Sequence, residues 1–369
     1  MTNTAAWRSG VAACAIALST TACAQTGVMT ANGVDLTPPD PAPTTRSRAA
    51  DCDRACLEGV LDAYLDAVVD AAPDTAPLAA DVRFTENGQL LALGEGLWNS
   101  MKAVGPYRLV VADPDAGQIA ILQTAEEDTN NPDEGSAIYL ALRLKVEDDL
   151  ITEVEQIVTR SADAAGRINA TGGPRAAFFE TTPEDRRMSR ADLIATANMY
   201  FTGMQANDGL GDYPFADDCD RFENGFQTTN APTPEGETRP NPATANNYSS
   251  QWTCAEQFES GLLHFVNRIR DRRFVAVDQE RGIVFSIIFF DHMAGDTRTA
   301  TLPDGRVHTG GPTRPWTWYI AEVFKVEDGL LHEIEALLVE PPYGMISGWS
   351  TWEDGMSDRM RDVTGYEED

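Results

Sequence analysis

The sequence predicts an α+β protein that contains two tandem copies of one domain. Short blocks of residues occur twice, in the same order along the chain, and the spacing between copies changes only in Pro- and Gly-rich segments. Each copy begins with an amphipathic helical pattern and continues with strand-like runs that are separated by turn residues. A chain of 369 residues also suits two domains of ordinary size better than one.

Four pairs of matched blocks carry this repeat. Tyr64 lies in the opening helical pattern of the first copy, and Tyr200 lies in that of the second. The blocks "RFTENG" and "RFENG" follow, and their first residues align Arg83 with Arg221. Next come "ADPDAG" with "VDQERG", and then "KVEDDLITEVE" with "KVEDGLLHEIE". The second copy also contains two loop-like insertions, at 227–254 and 291–315.

The domain boundaries follow from composition. The first copy is expected over 51–160 and the second over 188–349. The Gly-, Pro- and Ala-rich stretch 161–187 between them is typical of a linker, and 350–369 is expected to be a C-terminal tail. Within the second copy, the apolar stretch "SGLLHFVNRI" at 260–269 predicts a helix.

The first 24 residues predict an export signal. Arg8 precedes the apolar run "VAACAIAL", which is too short to span a bilayer as a helix, and small residues follow. Two processing routes fit this pattern: cleavage after Ala24, or lipidation of Cys23 in the loose lipobox "TTAC". Residues 25–50 are rich in Pro and Thr and are expected to form a disordered tether. The protein is therefore expected to be exported, as a periplasmic or cell-envelope lipoprotein or as a secreted protein.

Four cysteines remain after this processing, and two disulfides are expected because an even number in an exported chain is typical of pairing. The short spacing in "CDRAC" favours a local Cys52–Cys56 bridge, which leaves Cys219 to pair with Cys254. A metal site is the alternative, but neither pair has the C-x-x-C spacing of zinc ligands. The four histidines are also dispersed, so neither a metal nor a cofactor is predicted.

The charge balance limits the partners of the protein. Lys and Arg number 28 against 58 Asp and Glu, which gives a net charge of −30. Such a field repels nucleic acid and anionic membranes. A membrane is therefore expected as a partner only through a lipid on Cys23.

The order of elements resembles the nuclear transport factor 2-like superfamily, which includes SnoaL-like cyclases, ketosteroid isomerase and scytalone dehydratase. The terminal hairpin "RLKVEDDLITEVEQIV" is similar to the ending of these domains and is the most specific part of the resemblance. The run "CDRACLEG…YLDA…RFTENGQ…LGEGLW" is similar to one group of SnoaL-like domains that implies no particular chemistry. The resemblance implies two cone-like domains, each a strongly bent, mainly antiparallel sheet wrapped around its N-terminal helix and enclosing an apolar cavity.

Catalysis in such a cone requires acid–base groups that project into the cavity, where burial raises the pKa of a carboxyl group. The catalytic residues vary within the superfamily, so the candidates come from this sequence alone. Asp291 and His292 end an apolar strand, where adjacent side chains face opposite sides, so at most one of them enters the cavity. Glu322 alternates with large apolar residues in "WTWYIAEVF" and can point inward, and Tyr200 can donate to a substrate oxygen. The alternatives are a solvated strand end and an ordinary core tyrosine.

Five further residues are candidates for ligand binding: Tyr64, Arg221, Glu223, His264 and Trp318. Arg221 and Glu223 belong to the repeated "RFENG" block. The alternative interpretation of that block is a tight turn, because Asn-Gly supplies the positive φ that a hairpin needs. For His264, the alternative is an amphipathic residue in an apolar helix.

The leading functional hypothesis is a site for a small apolar or aromatic molecule in the second copy, sealed by the inserted loops. If the site is catalytic, the resemblance implies a cofactor-independent isomerase, lyase or dehydratase. The competing hypothesis is a non-catalytic cell-envelope module that binds partners, or a second copy in a homodimer, through its sheets.

Overall fold

The computed structural model describes residues 52–128 and 137–365. The predicted export signal, Cys23 and the tether at 25–50 lie outside the described residues. In the described ranges, no helix has both the length and the apolar character that a membrane crossing requires.

The first repeat consists of a long helix followed by a six-stranded sheet. Its elements are α1 (Arg54–Val69), β1 (Leu78–Glu86), β2 (Gln89–Leu90), β3 (Met101–Asp113), β4 (Gln118–Glu127), β5 (Ala137–Glu147) and β6 (Leu150–Thr159). Asp53 caps α1, and its side chain accepts a hydrogen bond from the backbone N–H of Cys56 at 3.0 Å. The strand order is β2-β1-β6-β5-β4-β3, in which β1 runs parallel to β6 and the other neighbours are antiparallel.

The second repeat has the same plan with a seven-stranded sheet. The remaining elements of the chain are α2 (Ala162–Ala170), α3 (Arg190–Met204), β7 (Phe215–Glu223), β8 (Phe226–Gln227), α4 (Cys254–Glu259), β9 (Arg268–Asp278), β10 (Ile283–His292), β11 (Thr299–Thr301), β12 (Val307–Thr309), β13 (Trp316–Glu327), β14 (Leu330–Val339), α5 (Trp352–Gly355) and β15 (Met360–Asp362). The strand order is β15-β9-β10-β13-β14-β7-β8. As in the first repeat, the strand after the opening helix, β7, runs parallel to the last strand of the meander, β14.

The two mixed sheets therefore confirm the α+β class and the tandem organisation. The repeated "ENG" sequence forms the same turn in both sheets. Asn87 and Gly88 have φ values of 48° and 79°, and Asn224 and Gly225 have values of 46° and 73°. The interpretation of this motif as a turn is confirmed, because Asn and Gly tolerate the left-handed region that the hairpin requires.

The alignment of Arg83 with Arg221 is wrong by one residue. In the parallel pairs, Phe84 lies opposite Val154, and Arg221 lies opposite Ile334. Val154 and Ile334 hold the same place in the repeated "KVED" hairpin, so Arg221 is the counterpart of Phe84. Side chains alternate between the faces of a strand, so Arg221 lies on the interior face, as Phe84 does, and not on the opposite face, where Arg83 lies.

Each opening helix buries its apolar face against its own sheet. Leu57, Leu61 and Tyr64 on α1 are at most 1% exposed and pack with the core of the first repeat. On α3, Tyr200 and Phe201 are likewise buried and pack with the core of the second repeat. The helix-facing side of each sheet is therefore the interior of its repeat.

The opposite faces of the two sheets pack against each other. One hydrophobic cluster contains side chains of both sheets, among them Tyr139 and Tyr319. Tyr319 donates a hydrogen bond to Glu155 at 2.8 Å, and Tyr139 donates one to Glu335 at 3.5 Å. The two tyrosines are counterparts in the repeat, as are the two glutamates, so the interface is reciprocal, like that of a two-fold homodimer.

Three local predictions differ from the structure. The stretch 161–187, expected to be a linker, contains α2, whose Ile168 is buried in the interface between the sheets. The helix predicted at 260–269 is wrong: residues 262–265 form turns and β9 begins at Arg268, because Gly261 has a φ of 67° and interrupts the helical pattern. Part of the expected C-terminal tail forms β15, which pairs with β9.

A segment after β14 seals the second repeat to the first. The Trp349 ring lies 5.0 Å from the guanidinium carbon of Arg83 and 4.7 Å from that of Arg143. Its indole N–H donates to the hydroxyl of Thr85 at 2.8 Å. Arg83 also donates to the carbonyl of Gly348. These cation–π contacts and hydrogen bonds assign Arg83 a role between the repeats.

Candidate functional site: a buried polar cluster in the second repeat

A cluster of polar side chains lies in the interior of the second repeat, where an apolar core is expected. Tyr200 comes from α3, Arg221 from β7 and Glu322 from β13. The side chains on β13 alternate, so Glu322 shares the interior face with Ile320 and Phe324. Each of the three polar residues is at most 3% exposed. We call Tyr200, Arg221 and Glu322 the interior cluster.

Arg221 is held by neutral acceptors. Its guanidinium donates to the Tyr200 hydroxyl at 3.2 Å, to Thr228 at 2.9 Å and to the Gln257 side-chain oxygen at 2.7 Å. The nearest carboxylate is that of Glu223, at 3.4 Å on the partly exposed side of the cluster. Burial tends to lower the pKa of Arg221, but Tyr200 and Glu223 more than offset this, so the pKa stays above its ordinary value and the side chain remains a cation.

The surroundings of Glu322 favour its protonated form at neutral pH. Burial, followed by the charge of Glu223, raises its pKa to about 8, although Arg221 and a hydrogen bond with Tyr200 act in the opposite direction. One carboxyl oxygen, Oε2, is buried and has no hydrogen-bond partner among the described residues. Such an oxygen is costly to bury, which marks this carboxyl group as unusual in a core.

Tyr200 is surrounded by rings. Its own ring lies 5.3 Å from that of Phe258 and 5.3 Å from that of Phe324, with Phe201 and Phe215 also in contact. Burial raises the pKa of Tyr200 well above its ordinary value, so it remains a neutral phenol that can donate a hydrogen bond.

The first repeat has hydrocarbon at the corresponding positions. Leu142 lies opposite Gln156, and Glu322 lies opposite Ala336, so Leu142 and Glu322 are counterparts in the repeated hairpin. Phe84 likewise stands where the second repeat has Arg221. Of the three cluster positions, the tyrosine alone is the same in both repeats: the Tyr64 ring packs edge-on against Trp98 at 5.3 Å.

His292 and Asp291 face opposite sides of the sheet, as expected for neighbours on a strand. The His292 ring lies on the interior side, stacked 4.5 Å from Trp316 and 5.9 Å from Phe265. Burial lowers the pKa of His292 to about 4, so the imidazole is neutral at physiological pH. It lies at the same end of the interior as Trp318, whose ring is 4.5 Å from that of Trp316.

Asp291 belongs to the other face and is fully paired there. It accepts hydrogen bonds from Arg270 at 2.7 Å, from Arg268 at 2.6 Å and from Thr317 at 2.8 Å. Burial alone would raise the pKa of Asp291, but the hydrogen bonds from Arg270 and Thr317 hold it below its ordinary value. The structure thus places Asp291 apart from the interior cluster.

His264 and Glu223 lie near the edge of the interior. His264 forms a 2.9 Å hydrogen bond with His308. Glu223 is partly exposed beside Arg221. The structure therefore brings together Tyr200, Arg221, Glu223 and Glu322, and it places His264, His292 and Trp318 in a second, aromatic group.

Two residues that bind Arg221 were not predicted from the sequence: Thr228 in the inserted loop and Gln257 in α4. Gln257 binds Arg221 and also donates to the carbonyl of Ser249 at 2.7 Å. Thr228 stands at the start of the first insertion and accepts from Arg221. The first repeat has no counterpart of this insertion, so the repeat gave no signal for these contacts.

The cysteines form two disulfides, Cys52–Cys56 and Cys219–Cys254. Within the described residues, the one close group of potential metal ligands is Cys52, Cys56 and Asp149, and both of its sulfurs are in the disulfide. The Cys219–Cys254 bridge ties β7 to the start of α4, close to Arg221 and Gln257. The disulfides indicate an oxidising environment.

Comparison with known proteins identifies a family. No curated protein matches the chain. The crystal structure of a de novo designed protein with a curved β-sheet is similar to part of the chain, at 15% identity and a TM-score of 0.21, over 41% of this chain and 88% of that one; this likeness is too small to bear on the fold. The family model of a domain of unknown function, DUF8021, matches residues 50–158 and again residues 186–338. The chain therefore belongs to the DUF8021 family and carries two copies of its domain.

Proposed function

We propose that the second repeat binds a small apolar or aromatic molecule that carries a carbonyl or hydroxyl oxygen, and that the interior cluster recognises this oxygen. The observation that carries the proposal is the buried Glu322 carboxyl group, with an oxygen that no described residue satisfies, at a position where the first repeat has Leu142.

The cost of this arrangement supports a functional origin. Burying a carboxyl group with one oxygen unsatisfied destabilises a fold by about 1–3 kcal/mol. The first repeat builds the same sheet with Phe84 and Leu142 at these positions, so the fold itself does not require the polar groups. Polar residues that a fold does not need are more often retained for binding or catalysis.

The three groups are chemically matched to an oxygen that gains negative charge. A protonated Glu322 can donate a hydrogen bond or a proton, Tyr200 can donate from its phenol, and Arg221 supplies a fixed positive charge. Such a set suits proton transfer next to a carbonyl or hydroxyl group. The resulting activity would be that of a cofactor-independent isomerase, lyase or dehydratase, with the ring walls of the interior holding an apolar or aromatic substrate.

We also propose that each repeat is a cone of the nuclear transport factor 2-like, SnoaL-like kind. Support comes from the helix that packs on one face of each sheet, from the parallel pairing of the first and last strands, and from the terminal "KVED" hairpin. In that arrangement the interior cluster lies inside the second cone.

We further propose that the chain is exported by its N-terminal segment, either as a lipoprotein anchored at Cys23 or after cleavage at Ala24. The two disulfides support an oxidising destination.

The competing hypothesis, a module that binds partners or a second copy through its sheets, receives less support. The sheet faces that such association would use are packed against each other within the chain, with Tyr139, Glu155, Tyr319 and Glu335 buried between them.

Native mass spectrometry of the purified protein, followed by thermal-shift screening of aromatic ketones and phenols, tests the proposed function. We expect a bound or stabilising small molecule for the wild-type protein, and its loss in Glu322→Leu and Tyr200→Phe. Tyr64→Phe is the matched control in the first repeat and is expected to leave binding unchanged. Equal binding by Glu322→Leu and the wild-type protein would contradict the proposal.

A further inference from the structure

The two insertions of the second repeat interlock. In the second insertion, Arg306 donates hydrogen bonds to the carbonyls of Ala243, at 3.4 Å, and Ala245, at 3.2 Å, in the first. Leu302 is buried in a small apolar cluster with Trp252. We call the joined segments 228–253 and 293–315 the cover, because they have no counterpart in the first repeat.

The cover lies over the aromatic end of the second interior. Phe265 and Trp318 pack against the second core from this end. The backbone at Gly311, in the cover, lies so close to the Phe265 ring that a side chain there would clash. Tyr248, also in the cover, has its ring 6.1 Å from that of Phe265. The cover thus closes this end of the repeat.

A hydrogen-bonded pair of histidines joins the aromatic end of the cover to the body of the repeat. The first insertion is held separately, through Thr228 to Arg221 and through Ser249 to Gln257. His264 Nε2 lies 2.9 Å from His308 Nδ1, and His308 Nε2 lies 2.8 Å from the carbonyl oxygen of Asn246. A carbonyl only accepts, so Nε2 of His308 carries the hydrogen. In the neutral pair, Nδ1 of His308 is then the acceptor and Nε2 of His264 is the donor.

Protonation acts on this pair in a defined way. A single added proton can be tolerated, because one of the two facing nitrogens still has a lone pair. With two added protons, both facing nitrogens carry hydrogen, so the hydrogen bond is lost and two cations face each other with ring centroids 5.2 Å apart.

The surroundings oppose the charged form. Burial, and then the charge of His308, lower the pKa of His264, and the backbone of Thr297 offsets this only in part. Arg306 and Arg298, on the elements that carry the pair, are also cations; Arg306 is paired with Asp304, and Arg298 donates to the carbonyl of Gly311. In 52–128 and 137–365, no carboxylate forms an ion pair with either ring, and the neighbouring imidazole across Phe265, that of His292, is neutral.

We propose that the His264–His308 pair is a proton-sensitive latch, which holds the cover closed over the aromatic end of the second repeat at neutral pH and releases that end in acid. The proposal rests on the proposed function in one respect: it takes the cover to close the entrance to the ligand site. Ligand entry and release would then be faster at acidic than at neutral pH.

Hydrogen exchange of the ligand-free protein tests the latch. Exchange of the Met293 amide, which donates from the cover to the side-chain oxygen of Asn267 in the body at 2.6 Å, is corrected for the intrinsic effect of pH and compared at about pH 7.5 and about pH 4.5. We expect opening of the cover to rise about tenfold or more in acid for the wild-type protein, while the β9 and β10 amides stay protected. The double variant His264→Phe, His308→Phe keeps two rings but cannot titrate, and it is expected to show no such rise.

The controls separate a latch from general acid effects. His332→Phe removes a histidine that pairs only with the exposed Asp218, so the rise should persist in that variant. If the double variant does not fold, His308→Gln replaces it and should likewise abolish the rise. An equal rise in the latch variants, or none in the wild-type protein, would overturn the proposal, as would a closed state that EDTA opens at neutral pH, since that would indicate a shared metal ion. The readout needs no ligand, so a cover that opens in acid on a protein that binds nothing would defeat the proposed function and leave the latch intact.

Discussion

The two repeats have the same strand order, the same Asn-Gly turn and the same opening tyrosine, yet their interiors differ. The first is filled by Phe84 and Leu142, and the second holds Arg221 and Glu322 at the same positions. Because both repeats fold in one chain, the first shows what the sheet needs in order to pack. The sheet of the second repeat does not need Arg221 and Glu322 in order to pack, and these two polar residues therefore mark the candidate site.

A second comparison concerns the interface between the repeats. Burial would raise the pKa of Glu155, but Arg273, bonded to it at 2.6 and 2.9 Å, holds the pKa below its ordinary value. Burial raises the pKa of its counterpart Glu335, because the nearest cation, Arg175, is 3.8 Å away. A symmetric position therefore holds an ion pair on one side and a weakly compensated acid on the other.

The largest expected effect comes from breaking this interface. Glu155→Gln removes a carboxylate from two buried guanidinium groups, those of Arg273 and Arg143, and Arg273 keeps only its 3.4 Å pair with Asp271. This change is expected to lower the free energy of unfolding by about 3–5 kcal/mol. Glu335→Gln, at the counterpart position, is expected to change it by no more than about 1 kcal/mol, because that carboxyl group is more easily protonated. Urea denaturation of the two variants measures the difference. Equal losses of unfolding free energy in the two variants would contradict the difference in charge pairing between Glu155 and Glu335.

The disulfides give the next largest contrast. Replacing Cys219 and Cys254 by serine opens a loop with a sequence separation of 35 and frees α4 from β7. We expect a loss of about 4 kcal/mol, against about 2 kcal/mol for the same change at Cys52 and Cys56, which closes a much shorter loop. Thermal unfolding measures both. A greater loss at the short bridge would contradict the account.

Titration of Glu322 in the interior cluster should make the stability of the second repeat depend on pH. With a pKa of about 8 in the folded protein, Glu322 binds its proton more tightly than in the unfolded chain, where the pKa is about 4.3. Its contribution to stability is therefore fully present below pH ~4.3 and is lost as the pH rises to about 8, by up to about 1.4 kcal/mol per pH unit.

Glu322→Gln cannot titrate and serves as the reference for this effect. The difference in unfolding free energy between the wild-type protein and Glu322→Gln should shift against the wild-type protein from about pH 5 to about pH 8. Denaturant titrations at several pH values measure it. A difference that stays constant over this range would show that Glu322 is ionised throughout.

The smallest contrast is between the two tyrosines. The Tyr64 hydroxyl has no hydrogen-bond partner among the described residues, so Tyr64→Phe should change stability by less than about 0.5 kcal/mol. Tyr200→Phe removes an acceptor of Arg221 and should cost about 1–1.5 kcal/mol. Chemical denaturation measures both, and a larger cost at Tyr64 would weaken the contrast between the interiors.

Much of the fold could be predicted because it rests on local patterns and on the repeat. The opening helices, the terminal hairpins and both disulfide pairings follow from periodicity and spacing. The register of Arg221 did not follow, since the residue missing from "RFENG" can be placed either after Phe222 or before Arg221, and only the pairing with β14 decides between them.

The site was predicted in part for similar reasons. Glu322 stands out because it interrupts an apolar alternation, and Tyr200 because it recurs. Gln257 and Thr228 bind Arg221 only because the first insertion folds back over the sheet. The ion pairs of Asp291 depend on which side chains lie next to it on the neighbouring strands. Such non-local contacts leave no signature in one sequence.

The titration of Glu322 itself tests the central claim most directly. Carboxyl infrared difference spectra of the wild-type protein and Glu322→Gln, recorded from about pH 5 to about pH 9, isolate this one group. We expect a protonated Glu322 carboxyl group at neutral pH, with a pKa of about 8. A carboxylate that is already ionised at about pH 5.5 would contradict it.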